Sequence, residues 1–292
     1  MAEIVLDGFR FSQWAGGRQL LIVESERLEQ SVAYCNKKQI RWLHISPYHG
    51  YELDDLEFLP KCRTVTGIHL QGGVSNFDGL YRLQNLESLS VVFPHHLMLS
   101  EFPKLTDLAT DWNPSIDESL FKVKSLSRLW IRKYKPVNED LERIKALKGL
   151  EELTIIESSI RSLEGIQALS QLKTLGLAYC RKLVTIESLL ELKGNLRELE
   201  IDHCKGIKDL SVIGALTQLR KAILADNGEI PSLEFVRGMP RLEFLSFVGT
   251  KVRDGDMTPC FSLKYAGFLK RRGYSHTPEE VADMIAKQSH SL

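Results

Sequence analysis

The chain has 292 residues, 43% of them hydrophobic and 26% charged, with 38 Lys plus Arg set against 38 Asp plus Glu. That is the balance of an ordinary soluble folded protein, and zero formal net charge supplies no overall field to draw it to nucleic acid or anionic lipid. Five cysteines, odd in number and without C-x-x-C spacing, argue against a disulfide framework or zinc knuckle, and no stretch approaches the ~18 apolar residues of a membrane span.

The chain opens Met1-Ala2-Glu3-Ile4-Val5-Leu6-Asp7, with an early acid and no basic region before an apolar run. A signal peptide is not expected, and a cytoplasmic, reducing setting is. Asp7-Gly8 between short apolar stretches suggests a small hairpin. A strand over Gln19–Val23 follows, then a helix opening near Ser25 with Leu28, Val32 and Cys35 on one face. Residues 1–39 are read as an N-terminal cap.

From residue 40 a pattern of apolar-x-x-apolar-x-apolar recurs. It runs through Ile40/Leu43/Ile45, Val65/Ile68/Leu70, Leu86/Leu89/Val91, Leu105/Leu108/Thr110 and Leu126/Leu129/Ile131. It continues through Leu150/Leu153/Ile155, Leu172/Leu175/Leu177, Leu196/Leu199/Ile201, Leu219/Ala222/Leu224, Leu242/Leu245/Phe247 and Leu263/Ala266/Phe268. From Val65 onward the starts lie 19 to 24 residues apart, which is the signature of a stacked repeat. The clearest copy is LEELTIIESSIRSLEGIQALSQ, residues 150–171, where Ile160, Leu163, Ile166 and Leu169 carry the return side. Between Leu86 and Pro136 the copies depart most: Thr110 replaces an apolar residue, and Pro94, Pro103, Pro114 and Pro136 crowd the turns. That segment is expected to be the least regular. The residue eight after each first leucine is Asn113, Ser158, Cys180, Cys204, Asn227 or Thr250 in six copies, a small side chain suited to bonding the backbone of a bend. After the repeats, Thr277-Pro278-Glu279-Glu280 reads as a capping box ahead of a helix whose stripe is Val281, Met284 and Ile285.

Each unit resembles the short, roughly 22-residue leucine-rich repeat of internalins and of a eukaryotic phosphatase regulator, over about residues 40–270. The resemblance implies an α/β solenoid: a curved leucine-rich-repeat stack with a parallel concave sheet, residues 40–270, and helical caps at both ends, the second over residues 271–292.

In such a stack alternate strand residues face away from the core, so columns can be read from the alignment. Trp130 stands mid-sheet between Arg128 and Arg132, and Glu198, Glu200 and Asp202 share one strand. Thr154, Gly176 and Ala178 lie between them and leave a dip, while Trp42, Phe244 and Tyr265 stand elsewhere in the same column as Arg128 and Glu198. These nine large or charged residues are the candidate partner-binding set, with Trp130 as anchor. Cross-strand ion pairs are the competing explanation for the charges, since Arg128 lies between Asp107 and Glu152 and Lys221 beside Glu198.

Chemistry is sought without success. His44 and His69 share a column and His49 lies near, but no further ligand completes a tetrahedral metal site, and the imidazoles are read as solvent-facing. Cys180 and Cys204 near His203 occupy bend positions where burial raises a thiol's pKa. No nucleophile-elbow, phosphate-loop or dinucleotide motif occurs. The expected function is that of a non-enzymatic, monomeric scaffold, without cofactor, that holds a protein partner on its concave face. The resemblance implies a bacterial immunity or regulatory protein. The alternatives are a metal-dependent or hydrolytic activity at the N-terminal histidines, and a carbohydrate or small-ligand sensor using the exposed aromatics.

Overall fold

The computed structural model describes residues 2–14 and 17–289. It divides into two compact units, Met1–Ile131 and Arg132–Leu292.

The first unit opens with strands β1 (Glu3–Leu6) and β2 (Phe9–Gln13), paired antiparallel. Asp7 and Gly8 turn between them with φ of 51° and 79°, the double left-handed conformation that a two-residue hairpin requires. β2 pairs antiparallel with β3 (Gln19–Val23). The helix Leu28–Lys38 then buries Val32 and Cys35 and stops at Gln39, whose φ is 56°. From β3 onward every pairing is parallel and in chain order, through β4 (Trp42–Ile45), β5 (Gly67–Gln71), β6 (Ser88–Val92) and β7 (Asp107–Asp111). The register puts Leu43, Ile68, Leu89 and Leu108 side by side, all buried, so each leucine of the pattern completes a core that its own rung cannot close. β8 (Arg128–Arg132) begins at the unit's end, its first N–H donated to the Thr106 carbonyl at 3.0 Å.

The second unit carries β9 (Glu152–Ile156), β10 (Thr174–Ala178), β11 (Glu198–Asp202), β12 (Lys221–Ala225), β13 (Glu229–Ile230), β14 (Phe244–Ser246), β15 (Lys251–Val252) and β16 (Tyr265–Gly267). β9 to β12, β14 and β16 form one parallel series, and β13 pairs with β15 separately. Each strand of the series starts two residues after the first leucine of its repeat. The return side consists of 3-10 turns, from Ile144–Ala146 to Thr258–Ser262. In the first unit it is mixed: 3-10 turns at Leu99–Glu101 and Pro114–Ile116 stand beside four-residue helical turns at Asp78–Tyr81 and Asp117–Leu120. The proline-rich segment therefore does return differently.

Five bend positions are filled as their sequence suggests. Ser158, Cys180, Cys204, Asn227 and Thr250 are all buried. Ser158 donates to the Tyr134 carbonyl at 2.6 Å, and Asn227 donates through Nδ2 to the Ile201 carbonyl at 2.5 Å. Asn227 Oδ1 accepts the Cys204 N–H at 2.9 Å, and Thr250 Oγ1 accepts the Asn227 N–H at 2.9 Å. Asn113 is the exception and corrects the sequence reading. It stays partly exposed, and its Oδ1 accepts the Ser115 N–H at 2.9 Å, because Pro114 starts a 3-10 turn immediately after it.

Just before each bend residue the backbone turns left-handed. Glu157, Tyr179, His203 and Asp226 have φ between 51° and 55°, and Gly249 has 77°. This conformation disfavours a side chain by roughly 1–2 kcal/mol. It is held at each rung by an N–H bond to the next: Glu157 to the Ala178 carbonyl, Tyr179 to Asp202, His203 to Ala225 and Asp226 to Val248, at 2.9–3.0 Å. The C-terminal helix Pro278–Ser289 starts with the capping box in place, Thr277 N–H to Glu280 Oε2 at 2.7 Å and Glu280 N–H to Thr277 Oγ1 at 3.3 Å. It packs on β16 and the Thr258–Ser262 turn with Val281 buried.

Candidate functional site

In the first unit the outward face is roofed at its start. His44 and His69 are buried, which corrects their reading as solvent-facing imidazoles. The cause is the N-terminal hairpin: β2 presents Ser12, whose Oγ lies 2.9 Å from His44 Nδ1, and Trp14 sets its ring edge-on to His69 at 4.5 Å. His44 Nε2 meets Gln71 Oε1 at 3.2 Å, and His69 Nδ1 meets Ser90 Oγ at 2.9 Å. Burial pushes His44 down to about 4 and His69 down to about 3, so both rings are neutral at ordinary pH. His49 stacks edge-on to His44 at 4.6 Å and pairs with Glu3 through Nδ1 at 3.1 Å. Trp42 is covered as well. The Arg18 guanidinium lies 3.9 Å over its ring, and Gly67 lies below, where a Cβ would fall 2.2 Å from the indole. At the unit's end Trp130 stays open, 38% exposed, while Arg128 is ion-paired with Asp107.

Among the described residues the outward face of the second unit carries no such roof. Glu198, Glu200 and Asp202 alternate along β11, in register with Thr174, Gly176 and Ala178 on one side and Lys221, Ile223 and Ala225 on the other. Glu152, Glu198 and Glu200 are exposed, and Lys221 reaches Glu198 only at 3.8 Å. At the face's apolar end Phe244 and Tyr265 stack at 4.5 Å and 12° between planes. Tyr265 is 49% exposed, and beside these two rungs Val248 and Leu269 are 40% and 52% exposed. Arg132, the first residue of this unit, is partly buried.

Along the left-handed corner Tyr179 stacks on His203 at 4.5 Å and is itself 41% exposed. A shallow depression of about 490 Å³ is lined by Glu157, Ser158, Tyr179 and Arg181. His203 sits between two carboxylates, Nδ1 at 2.7 Å from Asp202 and Nε2 at 3.8 Å from Asp226. Among the described residues these three are the group whose donor atoms converge closely enough for a cation, within 4.8 Å. Both nitrogens of His203 already face acids there, an arrangement that ion pairing accounts for. Sequence inspection passes over this corner, although its signal is present: Glu157, Tyr179, His203, Asp226 and Gly249 each stand seven residues after a first leucine. It also passes over Val248 and Leu269.

No family model matches the sequence, and no curated protein matches it. Solved structures do. A leucine-rich-repeat protein of Leptospira interrogans superposes with a TM-score of 0.59 at 20% identity, covering 86% of this chain and 72% of that one. An internalin, inlF of Listeria monocytogenes, gives 0.56 at 18% identity, covering 82% and 71%. The functional domain of InlJ of Listeria monocytogenes, described as including a cysteine ladder, gives 0.51 at 16% identity, covering 77% and 48%. The fold is the internalin-type leucine-rich-repeat solenoid.

A solenoid's side chains divide into core, bend and outward face, so chemistry has to be assembled on the face or its edge. The nitrogens of His44 and His69 are taken up by Ser12, Gln71 and Ser90 or closed off by burial, and His49 Nδ1 faces Glu3. What the face does offer is exposed aromatic and aliphatic area beside charge, the material of a protein contact.

Proposed function

We propose that this chain is a non-enzymatic scaffold that holds a protein partner on the outward, concave side of its sheet. The observation that carries the reading is the Phe244–Tyr265 stack, with Tyr265 49% exposed, together with the exposed Val248 and Leu269 further along the same two rungs, apolar area left open to solvent among the described residues. The carboxylates of β11 act as a charged rim of that contact, and Trp130, 38% exposed, is the contact residue of the first unit taken by itself. Trp42, clamped by Arg18, contributes support more than contact. Residues 1–39 and 271–292 serve as caps of the stack at 40–270, and the scaffold works as a monomer. Five buried free thiols support a reducing, cytoplasmic setting, and the role we attach to the contact is regulation or neutralisation of the partner, as an immunity protein does. The test is affinity capture from the source organism with the parent chain, Tyr265→Ala and Trp130→Ala, each first shown to be folded by circular dichroism. A captured protein lost with either variant, at a cost of about 2–4 kcal/mol in binding, supports the reading; a captured set indifferent to both removes it.

A further inference from the structure

The second unit's outward face is acidic in a chain whose total charge is zero. On the outward positions of β9 to β12 stand Glu152, Glu198, Glu200 and Asp202 against a single base, Lys221, and the adjoining corner adds Glu157 and Asp226. Elsewhere carboxylates commonly have a cation at hand, as Glu139 has Arg161 and Lys182 and Glu229 has Lys251 and Arg253. Among the described residues, no cation lies at ion-pair distance from Glu152, Glu157 or Glu200. Glu198, Glu200 and Asp202 stand at alternate positions of one strand, roughly 7 Å apart, where like charges repel one another, and the half-exposed side chains of Tyr265, Val248 and Leu269 lie beyond β12 in the same unit.

We propose that this face docks a cationic segment of a protein partner, one in which lysine or arginine side chains are followed by an aromatic or aliphatic residue. The proposal rests on the protein-binding reading above and adds the partner's chemistry to it. The complementarity is specific in layout. Basic side chains meet the acids of β9 and β11, and the exposed Tyr179, beside the depression that Glu157 and Arg181 line, offers a guanidinium a ring to stack on. The apolar residue of the segment covers the Phe244–Tyr265 stack. A nucleic acid, being anionic, is repelled by the same surface.

The experiment is selection of a random peptide display library against the full chain, followed by binding of the recovered peptides, as synthetic probes, to the parent and to three surface variants. The variants are Glu152→Gln/Glu200→Gln, Tyr265→Ser and Leu269→Ser, whose mutated side chains are exposed; circular dichroism checks that each is folded. The expected peptides are enriched in Lys and Arg next to an apolar residue. They bind at least tenfold more weakly to the double Gln variant and to at least one of the apolar-patch variants, and they tighten as salt is lowered. Neutral or acidic peptides that still depend on Tyr265 or Leu269 would overturn the cationic partner while leaving the binding face standing. Peptides indifferent to all three variants, or no enrichment over the unselected library, would overturn both.

Discussion

His44 and His69 sit neutral beneath the N-terminal hairpin, and their depressed titration has a consequence for stability. In the unfolded chain a histidine titrates near 6.5. Between that value and about 4 the unfolded state binds more protons than the folded one, so stability is full above 6.5 and falls as pH drops through it. At pH 5.5, one unit below the unfolded value, each ring costs about 1.4 kcal/mol. Calorimetric melting of the parent at pH 7.5, 6.5 and 5.5 should show a falling midpoint, and His69→Gln should flatten that slope. Equal slopes for parent and variant would mean that His69 contributes nothing to the fall, which would then rest on His44. The thiols of Cys180 and Cys204 make a second expectation at this scale. Both are fully buried; the hydrogen bond between them pushes Cys204 well above the ordinary thiol range, burial adding to it, and lowers Cys180, which corrects the expectation that burial raises both. A bulky maleimide should leave them unlabelled in native protein over a time in which denatured protein labels completely.

At the scale of the element, one rung is stabilised by its leucines and by the side chain at its bend. The Asn227 side chain replaces two backbone partners that the bend leaves open, donating to the Ile201 carbonyl and accepting from the Cys204 N–H, while its own N–H is donated to Thr250 Oγ1. Asn227→Leu keeps the volume and removes both side-chain bonds, stranding a buried N–H and a buried carbonyl, at an expected cost of about 2–4 kcal/mol. Urea denaturation measures it; a loss under 1 kcal/mol would show that water or a backbone shift satisfies the bend instead. The strands of every repeat from Leu150 onward could be read from sequence because the leucine spacing reports a local fact, the alternation of one strand. The same holds for the hairpin at Asp7-Gly8 and the capping box at Thr277. The fate of His44 and Trp42 could not be read, because it depends on where β2 and Arg18 lie, and no periodicity encodes that long-range contact. The left-handed corner was hidden differently: Glu157, Tyr179, His203 and Asp226 share a conformation but no side-chain chemistry, so residue type alone does not reveal them. Of the candidate residues, Phe244 and Tyr265 met as a pair and the β11 acids kept their alternation, both being direct results of register.

For the whole molecule, neutrality of the total composition conceals an uneven distribution, and no helix among the described residues is long and apolar enough to cross a membrane. A larger consequence lies in the way the rungs of the second unit are joined. Every rung from β9 to β12 hands its neighbour the same set of bonds, strand register and corner N–H alike, whatever its outward residues are. Such a lattice is indifferent to how many copies it contains, so the chain is a ruler on which a gene duplication shifts marks without redrawing them. Copying residues 172–195 in tandem should add one rung, moving Tyr265 about 4.8 Å further from Glu152 while the folded state survives, as its unchanged circular dichroism per residue and cooperative melting would attest. If the duplicated chain fails to fold, the rungs are not interchangeable. If it folds, the distance between two contacts on a partner can be followed by evolution one repeat at a time, and a library of such insertions would measure the partner's own spacing with the scaffold as the gauge.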